Sequence, residues 1–383
     1  MKITKIETFL AYAGRCNMLF IKVCTDEGID GIGEATVEGK EATVEAVIKE
    51  YSRYLIGKNP MEIEKIWQSL YLGNFWKGGV IQMSGISGID QALWDIKGKA
   101  LGVPVYELLG GPIRNKIRCY THLKDTSNPE ELAKDAQFLV QKGWNAVKFL
   151  SAGPSQNEAI FKESDIMQAV EKIKILREKI GDGIDIMLDN HGRFSPYEAI
   201  KIGKLIEPYN PYFFEEPTPP EDLGSLLKVS RSLRIPIATG ERLYSKWDFK
   251  NVLYKYAADI IQPDLCHAGG ITEVKKIASL AEACNVKVAP HNPLGPVSTA
   301  ACIQLDAAIQ NFLIQEAPQY DRWGASWVKY FVKQPLEVEN SYIKLPTKPG
   351  LGVELNEDVI KQYPYNGKDL PKIYKEDGTP TAW

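Results

Sequence analysis

Three short apolar runs in the middle of the chain each end in or just before an acidic residue. The runs are residues 184–188, 212–214 and 235–238. The acids that follow them are Asp189, Glu215 and Glu241, at a spacing of 26 residues (189 to 215 and 215 to 241). One strand and one crossover helix take about that length, and parallel strands joined in this way end at the same edge of a sheet. The repeat therefore predicts a parallel sheet with three acids gathered at one end.

The same alternation of strand and helix patterns runs from residue 116 onward. Strand-like runs end near Thr121, Phe149, Asp189, Glu215, Glu241, Asp264, His291 and Glu316. Between them, helical periodicity covers segments such as 129–142, 162–180, 196–207, 245–256, 270–284 and 297–309. Eight strands in this rhythm predict an α/β fold of the TIM-type (β/α)8 class, in which the active site lies at the carboxyl ends of the strands.

A different pattern precedes the barrel. Residues 3–12 and 19–25 alternate apolar and polar side chains, and helical patterns follow at 40–56, 60–71 and 84–101. This order predicts an N-terminal α+β unit at 1–115, a barrel at 116–320, and a tail at 321–383 that returns to the first unit. The break between the first two falls after Gly110-Gly111-Pro112.

Composition limits the classes of partner. The formal net charge of −3 offers no basic surface for nucleic acid or for an anionic membrane. The start of the chain alternates like a strand, unlike a signal peptide, and no run of apolar residues could span a bilayer. Six scattered cysteines without a C-x-x-C pair suit a reducing compartment. We therefore expect a cytoplasmic protein, in the form of a homo-oligomer, that acts on a small molecule.

Asp189, Glu215 and Glu241 form a candidate metal site. Three carboxylates are hard oxygen donors, which suit Mg²⁺ better than zinc. Acids at the top of a barrel can also simply face water. The matching position of all three, each close behind an apolar run, argues against that alternative.

Two histidines and two further acids complete the candidate catalytic set. His191 and His291 follow the third and seventh strands and would face a central substrate from opposite sides, one to remove a proton and one to donate one. Asp264 could orient His291, or it could cap a helix. Glu316 could bind the substrate or an oxyanion, or it could be an ordinary solvated acid. Two other histidines lack a matching partner in the sequence and are expected to be structural: His122 and His267.

At these residues the chain resembles the enolase superfamily, in its mandelate racemase branch, over essentially its full length. Within that branch it is most similar to the D-galactonate dehydratases. The motifs that carry the resemblance are Leu188-Asp189-Asn190-His191-Gly192-Arg193, Glu215-Glu216-Pro217, Gly240-Glu241-Arg242, Gln262-Pro263-Asp264-Leu265, His267-Ala268-Gly269-Gly270 and Pro290-His291-Asn292-Pro293-Leu294. The resemblance implies a modified (β/α)7β barrel and an α+β capping domain built from the N-terminal part and the tail.

The resemblance also implies a reaction. The three acids would bind Mg²⁺, His291 with Asp264 would take the C2 proton of a sugar acid, and His191 would protonate the departing C3 hydroxyl. The product would be a 2-keto-3-deoxy acid, and a D-galactonate-type aldonate is the expected substrate. The residues expected to bind it are Arg15, Asn17, Lys148 and Glu316, with Asn74 and Lys77 as further candidates in the cap.

Three alternatives stay open at this stage. The acid could be another aldonate or an aldarate, such as gluconate, arabinonate, fuconate or galactarate. The enzyme could be a racemase or epimerase, but racemases of this branch have Lys-x-Lys on the second strand, and here the segment reads Lys148-Phe149-Leu150. The chain could also be a non-catalytic barrel, although each expected ligand is present.

Overall fold

The computed structural model describes residues 1–124, 126–150, 163–317, 325–367, 370, 372–374 and 377–381. Its first part is an antiparallel sheet in the order β1-β2-β3, from the strands β1 (Ile3–Tyr12), β2 (Asn17–Thr25) and β3 (Gly31–Glu34). Two helices pack on the sheet, α1 (Glu41–Leu55) and α3 (Val80–Leu101), and α2 (Ile63–Leu72) packs against α3. The predicted α+β unit is confirmed, and the short helix α4 (Val105–Leu108) follows it.

Glycines allow α3 to lie directly against β3. A Cβ atom at Gly33 would stand 1.9 Å from the carbonyl oxygen of Gly88. A Cβ atom at Gly88 would stand 2.9 Å from the Cβ atom of Ala35. No side chain fits at these contacts. The helix and the strand can therefore touch backbone to backbone, which the small residues of the helix predict.

Eight parallel strands form a closed barrel. They are β4 (Lys116–His122), β5 (Ala146–Leu150), β6 (Asp185–Asp189), β7 (Phe213–Glu215), β8 (Ile237–Thr239), β9 (Ile260–Ile261), β10 (Lys287–Val288) and β11 (Gln315–Glu316). Each of β4 to β9 pairs with the next strand, and β11 pairs with β4. A bridge from Val288 to Phe312 joins β10 to the segment before β11. The ring is therefore complete.

Seven helices connect these strands, as the (β/α)7β form requires. They are α5 (Pro129–Gln141), α6 (Glu163–Ile180), α7 (Pro196–Ile206), α8 (Leu223–Ser230), α9 (Lys246–Tyr254), α10 (Gly270–Ala283) and α11 (Pro296–Ala308). Inside the ring, one layer of buried side chains fills the barrel: Tyr120, Ala146, Met187, Phe213, Ala238, Ile260, Ala289 and Ile314. The barrel is a packed core, and its chemistry is confined to its ends.

Three strands end earlier than the sequence predicts. β8, β9 and β10 stop two or three residues before Glu241, Asp264 and His291. Pro263 and Pro290, which directly precede the last two residues, have no N–H group to continue a ladder. Glu241, Asp264 and His291 consequently stand on the first residues of the loops, where the loop backbone sets their direction.

The tail contacts both earlier parts. Its strand β13 (Tyr342–Lys344) pairs antiparallel with β4, and β12 (Val338–Glu339) pairs antiparallel with β13. The backbone N–H of Tyr12 donates to the carbonyl of Tyr363 at 2.8 Å. The rest of the described tail contains helix α12 (Glu357–Ile360) and the strands β14 (Ile373–Tyr374) and β15 (Pro380–Thr381). The predicted boundary at 320–321 lies outside the described residues, so the division into three ranges stays a prediction.

No helix within the described ranges combines the length and the apolar character needed to cross a bilayer.

Candidate active site

A cavity of about 270 Å³ lies at the carboxyl ends of the barrel strands. Its described lining includes seven of the residues that the sequence predicts for the site: Arg15, Lys148, Asp189, His191, Glu241, His291 and Glu316. Small-molecule sites typically occupy roughly 300–1,000 Å³, so this cavity suits a small substrate.

Asp189, Glu215 and Glu241 converge beside this cavity. Asp189 and Glu215 end the adjacent strands β6 and β7 and are register partners. One ligand oxygen from each of the three acids lies within 4.8 Å of the other two. The Oε2 atom of Glu241 is buried and accepts no hydrogen bond from the described residues. The arrangement fits a divalent cation with oxygen ligands.

The charge at this site supports the same conclusion. The ammonium group of Lys148 lies 3.0 Å from both carboxylate oxygens of Glu215, 3.1 Å from Asp189 and 3.2 Å from Glu316. Burial, together with the charge of Asp189, raises the pKa of Glu215 to about 8. One lysine is therefore too little positive charge for this group of carboxylates, and a bound cation would supply the remainder.

His191 reaches the cavity through a turn. The strand ends at Asp189, and His191 adopts the left-handed conformation with φ 49°. The turn, and not the alternation of side chains along a strand, therefore sets the direction of His191. Its backbone N–H donates to Oδ1 of Asp189 at 3.1 Å, and its Nε2 lies 3.4 Å from Oδ2. Burial opposes protonation of His191, but the charge of Asp189 outweighs it and raises the pKa of the imidazole to about 9.

His291 is paired with Asp264, as the sequence predicts. Nδ1 of His291 lies 2.8 Å from Oδ2 of Asp264, whose Oδ1 accepts the backbone N–H of Cys266 at 2.6 Å. Asp264 is buried and caps no helix, since Gly269 precedes α10. The alternative of a helix cap is wrong. On the other side of the ring, Nε2 of His291 lies 3.3 Å from Glu241.

Burial of His291 favours its neutral form, but the charges of Glu241 and Glu316 outweigh this effect. The pKa of the imidazole is therefore raised well above its usual value. A cation bound to Glu241 would oppose the increase.

Glu316 is fully buried, so the alternative of a solvated acid is wrong. It contacts Lys148 and His122, and it accepts the backbone N–H of Asn292 at 2.7 Å. Burial disfavours its charged form, yet Lys148 and His291 lower the pKa of the carboxyl below its usual range. Glu316 is thus an ionised acceptor on the cavity wall.

Two histidines that the sequence left as structural also line the cavity. His122 contacts Glu316, and Nε2 of His267 lies 3.6 Å from Asp264. Nδ1 of His267 lies 3.1 Å from the hydroxyl of Ser84 on α3. Both histidines therefore have partners that the sequence did not suggest, while their structural role stays a prediction. His122 ends the first barrel strand, and that position is the signal that could have identified it.

The cap supplies fewer of the expected residues. Arg15 lines the cavity, but Asn17 is 2% exposed, and its side-chain amide makes two hydrogen bonds to the backbone of Asn366. Asn74 donates to the carbonyl of Leu70, and neither it nor the exposed Lys77 contributes to the described lining. For Asn17, Asn74 and Lys77 the expected contact with substrate is therefore corrected. The lining residues that the sequence analysis did not predict include Glu38 and Leu370.

Comparison with known proteins agrees with this geometry. The model of the mandelate racemase / muconate lactonizing enzyme N-terminal domain matches residues 6–110, and that of the enolase C-terminal domain-like family matches residues 131–359. Two curated proteins named D-galactonate dehydratase, from Variovorax paradoxus and Pectobacterium atrosepticum, are 42% and 43% identical over 100% of both chains.

Solved structures give the same result. A mandelate racemase/muconate lactonizing enzyme-like protein from Roseovarius sp. TM1035 superposes with a TM-score of 0.91 at 36% identity, covering 98% of each chain. A mandelate racemase/muconate lactonizing enzyme from Sulfitobacter sp. also superposes with a TM-score of 0.91 at 36% identity, covering 98% of each chain. The chain belongs to the enolase superfamily, in its mandelate racemase / muconate lactonizing enzyme family.

Proposed function

We propose that this protein is a Mg²⁺-dependent sugar-acid dehydratase that converts a D-galactonate-type aldonate to its 2-keto-3-deoxy acid. The observation that carries the proposal is the position of the two imidazoles. His191 follows β6 and His291 follows β10, four strands apart in a ring of eight, with the carboxylate cluster between them. A substrate at the centre therefore meets one imidazole on each side.

Asp189, Glu215 and Glu241 would hold Mg²⁺. Bound there, the ion would hold the substrate carboxylate and offset the negative charge that develops on it when the α-carbon loses its proton. The protein's own residues carry the proton transfers.

His291 is the proposed base. Its Nδ1 is engaged by Asp264 at 2.8 Å, which leaves Nε2 to receive the C2 proton. The buried carboxylate keeps the ring in the required tautomer and stabilises the imidazolium that forms. His291 is therefore oriented before the substrate arrives.

His191 is the proposed acid. In the metal-free site the charge of Asp189 raises the pKa of the imidazole to about 9. In its protonated form the ring can give a proton to the C3 hydroxyl as the C3–O bond breaks. The hydroxyl and that proton leave as water, while the C2 proton stays on His291. The resulting enol becomes the 2-keto-3-deoxy acid by tautomerisation.

Lys148 and Glu316 are assigned to the substrate carboxylate and the groups next to it. Lys148 is 1% exposed and lines the cavity, and Glu316 offers an ionised acceptor beside it. The ammonium group of Lys148 adds to the positive charge that faces an anionic substrate, and Glu316 accepts a hydrogen bond from a substrate hydroxyl. Both residues would fix the orientation of the substrate in the cavity.

A racemase is the weaker candidate. A second base would be expected at residue 150, and Leu150 lines the cavity there. Lys148 is a poor replacement for that base, because its ammonium group is engaged by Glu215 at 3.0 Å, by Asp189 at 3.1 Å and by Glu316 at 3.2 Å.

The choice of D-galactonate is supported by relatives that are named D-galactonate dehydratase and that match the whole chain. The test is incubation of purified protein and Mg²⁺ with D-galactonate, D-gluconate, D-arabinonate, L-fuconate and galactarate, followed by an assay for 2-keto-3-deoxy acids. We expect D-galactonate to react with the highest kcat/KM. Turnover of another acid alone would refute the named substrate, and no turnover of any acid would refute the dehydratase.

A further inference from the structure

The cap contributes one ion pair to the described lining of the cavity. Arg15 and Glu38 are its only charged residues from residues 1–124, apart from His122 on the barrel. Nη2 of Arg15 lies 3.0 Å from Oε2 of Glu38, with the two side chains 26% and 19% exposed. Apolar groups surround the pair on this side of the cavity: Val37, Val80 and Leu370.

The second carboxylate oxygen of Glu38 is a hydrogen-bond acceptor without a donor among the described residues. Its Oε1 is buried and accepts no hydrogen bond from the described residues. The neighbouring thiol of Cys16 stays neutral, because burial and the charge of Glu38 raise its pKa well above its usual value. A thiol is a weak hydrogen-bond donor, so Oε1 of the carboxylate can still accept a hydrogen bond from a stronger donor. Because Oε1 is buried, the carboxylate of Glu38 must turn toward the cavity that it lines before a ligand hydroxyl can donate to this oxygen and satisfy it.

The two ends of a sugar acid differ in what they offer to such a group. The carboxylate of the acid belongs at the metal-binding cluster, on the barrel. The remote end of an aldonate carries only hydroxyls, which can donate to Glu38. The remote end of an aldarate carries a second carboxylate, which cannot donate and which Glu38 repels.

We propose that Glu38, held in place by Arg15, is a specificity-determining residue that accepts a hydroxyl from the remote end of the substrate and excludes a second carboxylate. The inference rests on the proposed function and narrows its substrate class to monocarboxylic sugar acids. The charge of Glu38 offsets that of Arg15, so these two residues together carry no net charge with which to attract a dianion.

Two variants separate the charge of Glu38 from its reach. Glu38→Gln keeps the shape, removes the repulsion and releases the charge of Arg15. Glu38→Asp keeps the charge and shortens the side chain by one methylene. Glu50→Gln, on the exposed face of α1, is the matched control for loss of one cap carboxylate. Thermal unfolding and Mg²⁺ titration of each variant identify any that is misfolded or has lost its metal.

The measurement is kcat and KM for D-galactonate and galactarate, with Mg²⁺. We expect Glu38→Gln to lower the preference for galactonate at least tenfold, through a higher KM for galactonate and a lower KM for galactarate. Glu38→Asp should raise the KM for galactonate while still excluding galactarate, and Glu50→Gln should match wild type. An unchanged preference in a folded, metal-binding Glu38→Gln variant would overturn the inference.

Failure of the proposed function gives a different result. It would appear as no turnover of any sugar acid by wild type. Calorimetry in the presence of Mg²⁺ then decides the inference directly. Tighter binding of galactonate than of galactarate, reversed in Glu38→Gln, would support it. Equal binding of both acids, or no binding of either, would overturn it.

Discussion

The ammonium group of Lys148 lies 3.0 Å from each carboxylate oxygen of Glu215, at the closed centre of the barrel end. Both side chains are almost completely buried, at 1% and 0% exposure. The pair therefore offsets part of the charge that the carboxylate cluster carries without a cation. Folding and metal binding are linked through this contact.

Replacing Lys148 by methionine should make the protein depend on Mg²⁺ for its stability. Breaking a buried ion pair by removing one partner costs about 3–5 kcal/mol, because the other charge stays buried without compensation. We expect the variant to unfold at much lower temperature than wild type in EDTA and to recover part of the difference in saturating Mg²⁺. An equal loss of Tm in both conditions would show that Lys148 and the metal do not share this charge.

Replacing Glu241 by glutamine should weaken Mg²⁺ binding and abolish most activity. The change removes one of three anionic ligands, and its Oε2 has no hydrogen bond within the described structure that glutamine would preserve. Calorimetric titration with Mg²⁺ measures the first effect and dehydration assays the second. Wild-type activity in this variant, or in wild type after exhaustive chelation, would contradict the metal assignment.

Asp90 predicts a pH dependence of stability that is independent of the metal site. It joins the cap to the barrel, because its Oδ2 accepts the backbone N–H of Thr272 at 3.0 Å while its buried Oδ1 has no partner among the described residues. Burial raises its pKa from 3.8 to about 7. Its contribution to stability is therefore complete below the unfolded pKa and is lost as pH rises through about 7.

Asp90→Asn removes this dependence, since asparagine keeps the acceptor and cannot ionise. Between pH 5 and pH 8 the wild type should lose about 2–3 kcal/mol of unfolding free energy relative to the variant. Denaturant unfolding at the two pH values measures the difference. If the N-terminus of α10 instead stabilises the charged form of Asp90, the free energy of unfolding at pH 8 will be no higher in the variant than in wild type.

The sequence predicts the barrel well because its period is long and regular. The spacing of Asp189, Glu215 and Glu241 follows from one strand and one helix per unit, and the structure places these acids together as expected. It predicts local direction less well. His191 reaches the site by a residue with φ 49°, which no periodicity of side chains encodes.

Contacts between distant segments limited the prediction most. Asn17 is a polar residue at the start of β2 in the cap and so resembles a ligand-binding group, but its amide is hydrogen-bonded to Asn366, 349 residues later. Glu38 and His267 face the cavity because the cap and the barrel pack together there. Such pairings are decided by tertiary structure, and a single sequence carries no local signal for them.

The roles of the two histidines can be separated by exchange at C2. His291→Asn removes the base and should abolish both dehydration and the exchange of the C2 hydrogen with solvent. His191→Asn removes the acid and should block loss of the hydroxyl while the base still exchanges the C2 proton. Mg²⁺ titration of both variants serves as the control for an intact site.

The central claim is that His291 takes the C2 proton before His191 delivers its own. Its most direct test is NMR observation of D-galactonate incubated in D₂O with Mg²⁺ and each variant. We predict deuterium at C2 with His191→Asn and none with His291→Asn, with no dehydration by either. Exchange by His291→Asn together with its absence in His191→Asn would contradict the account and reverse the two assignments.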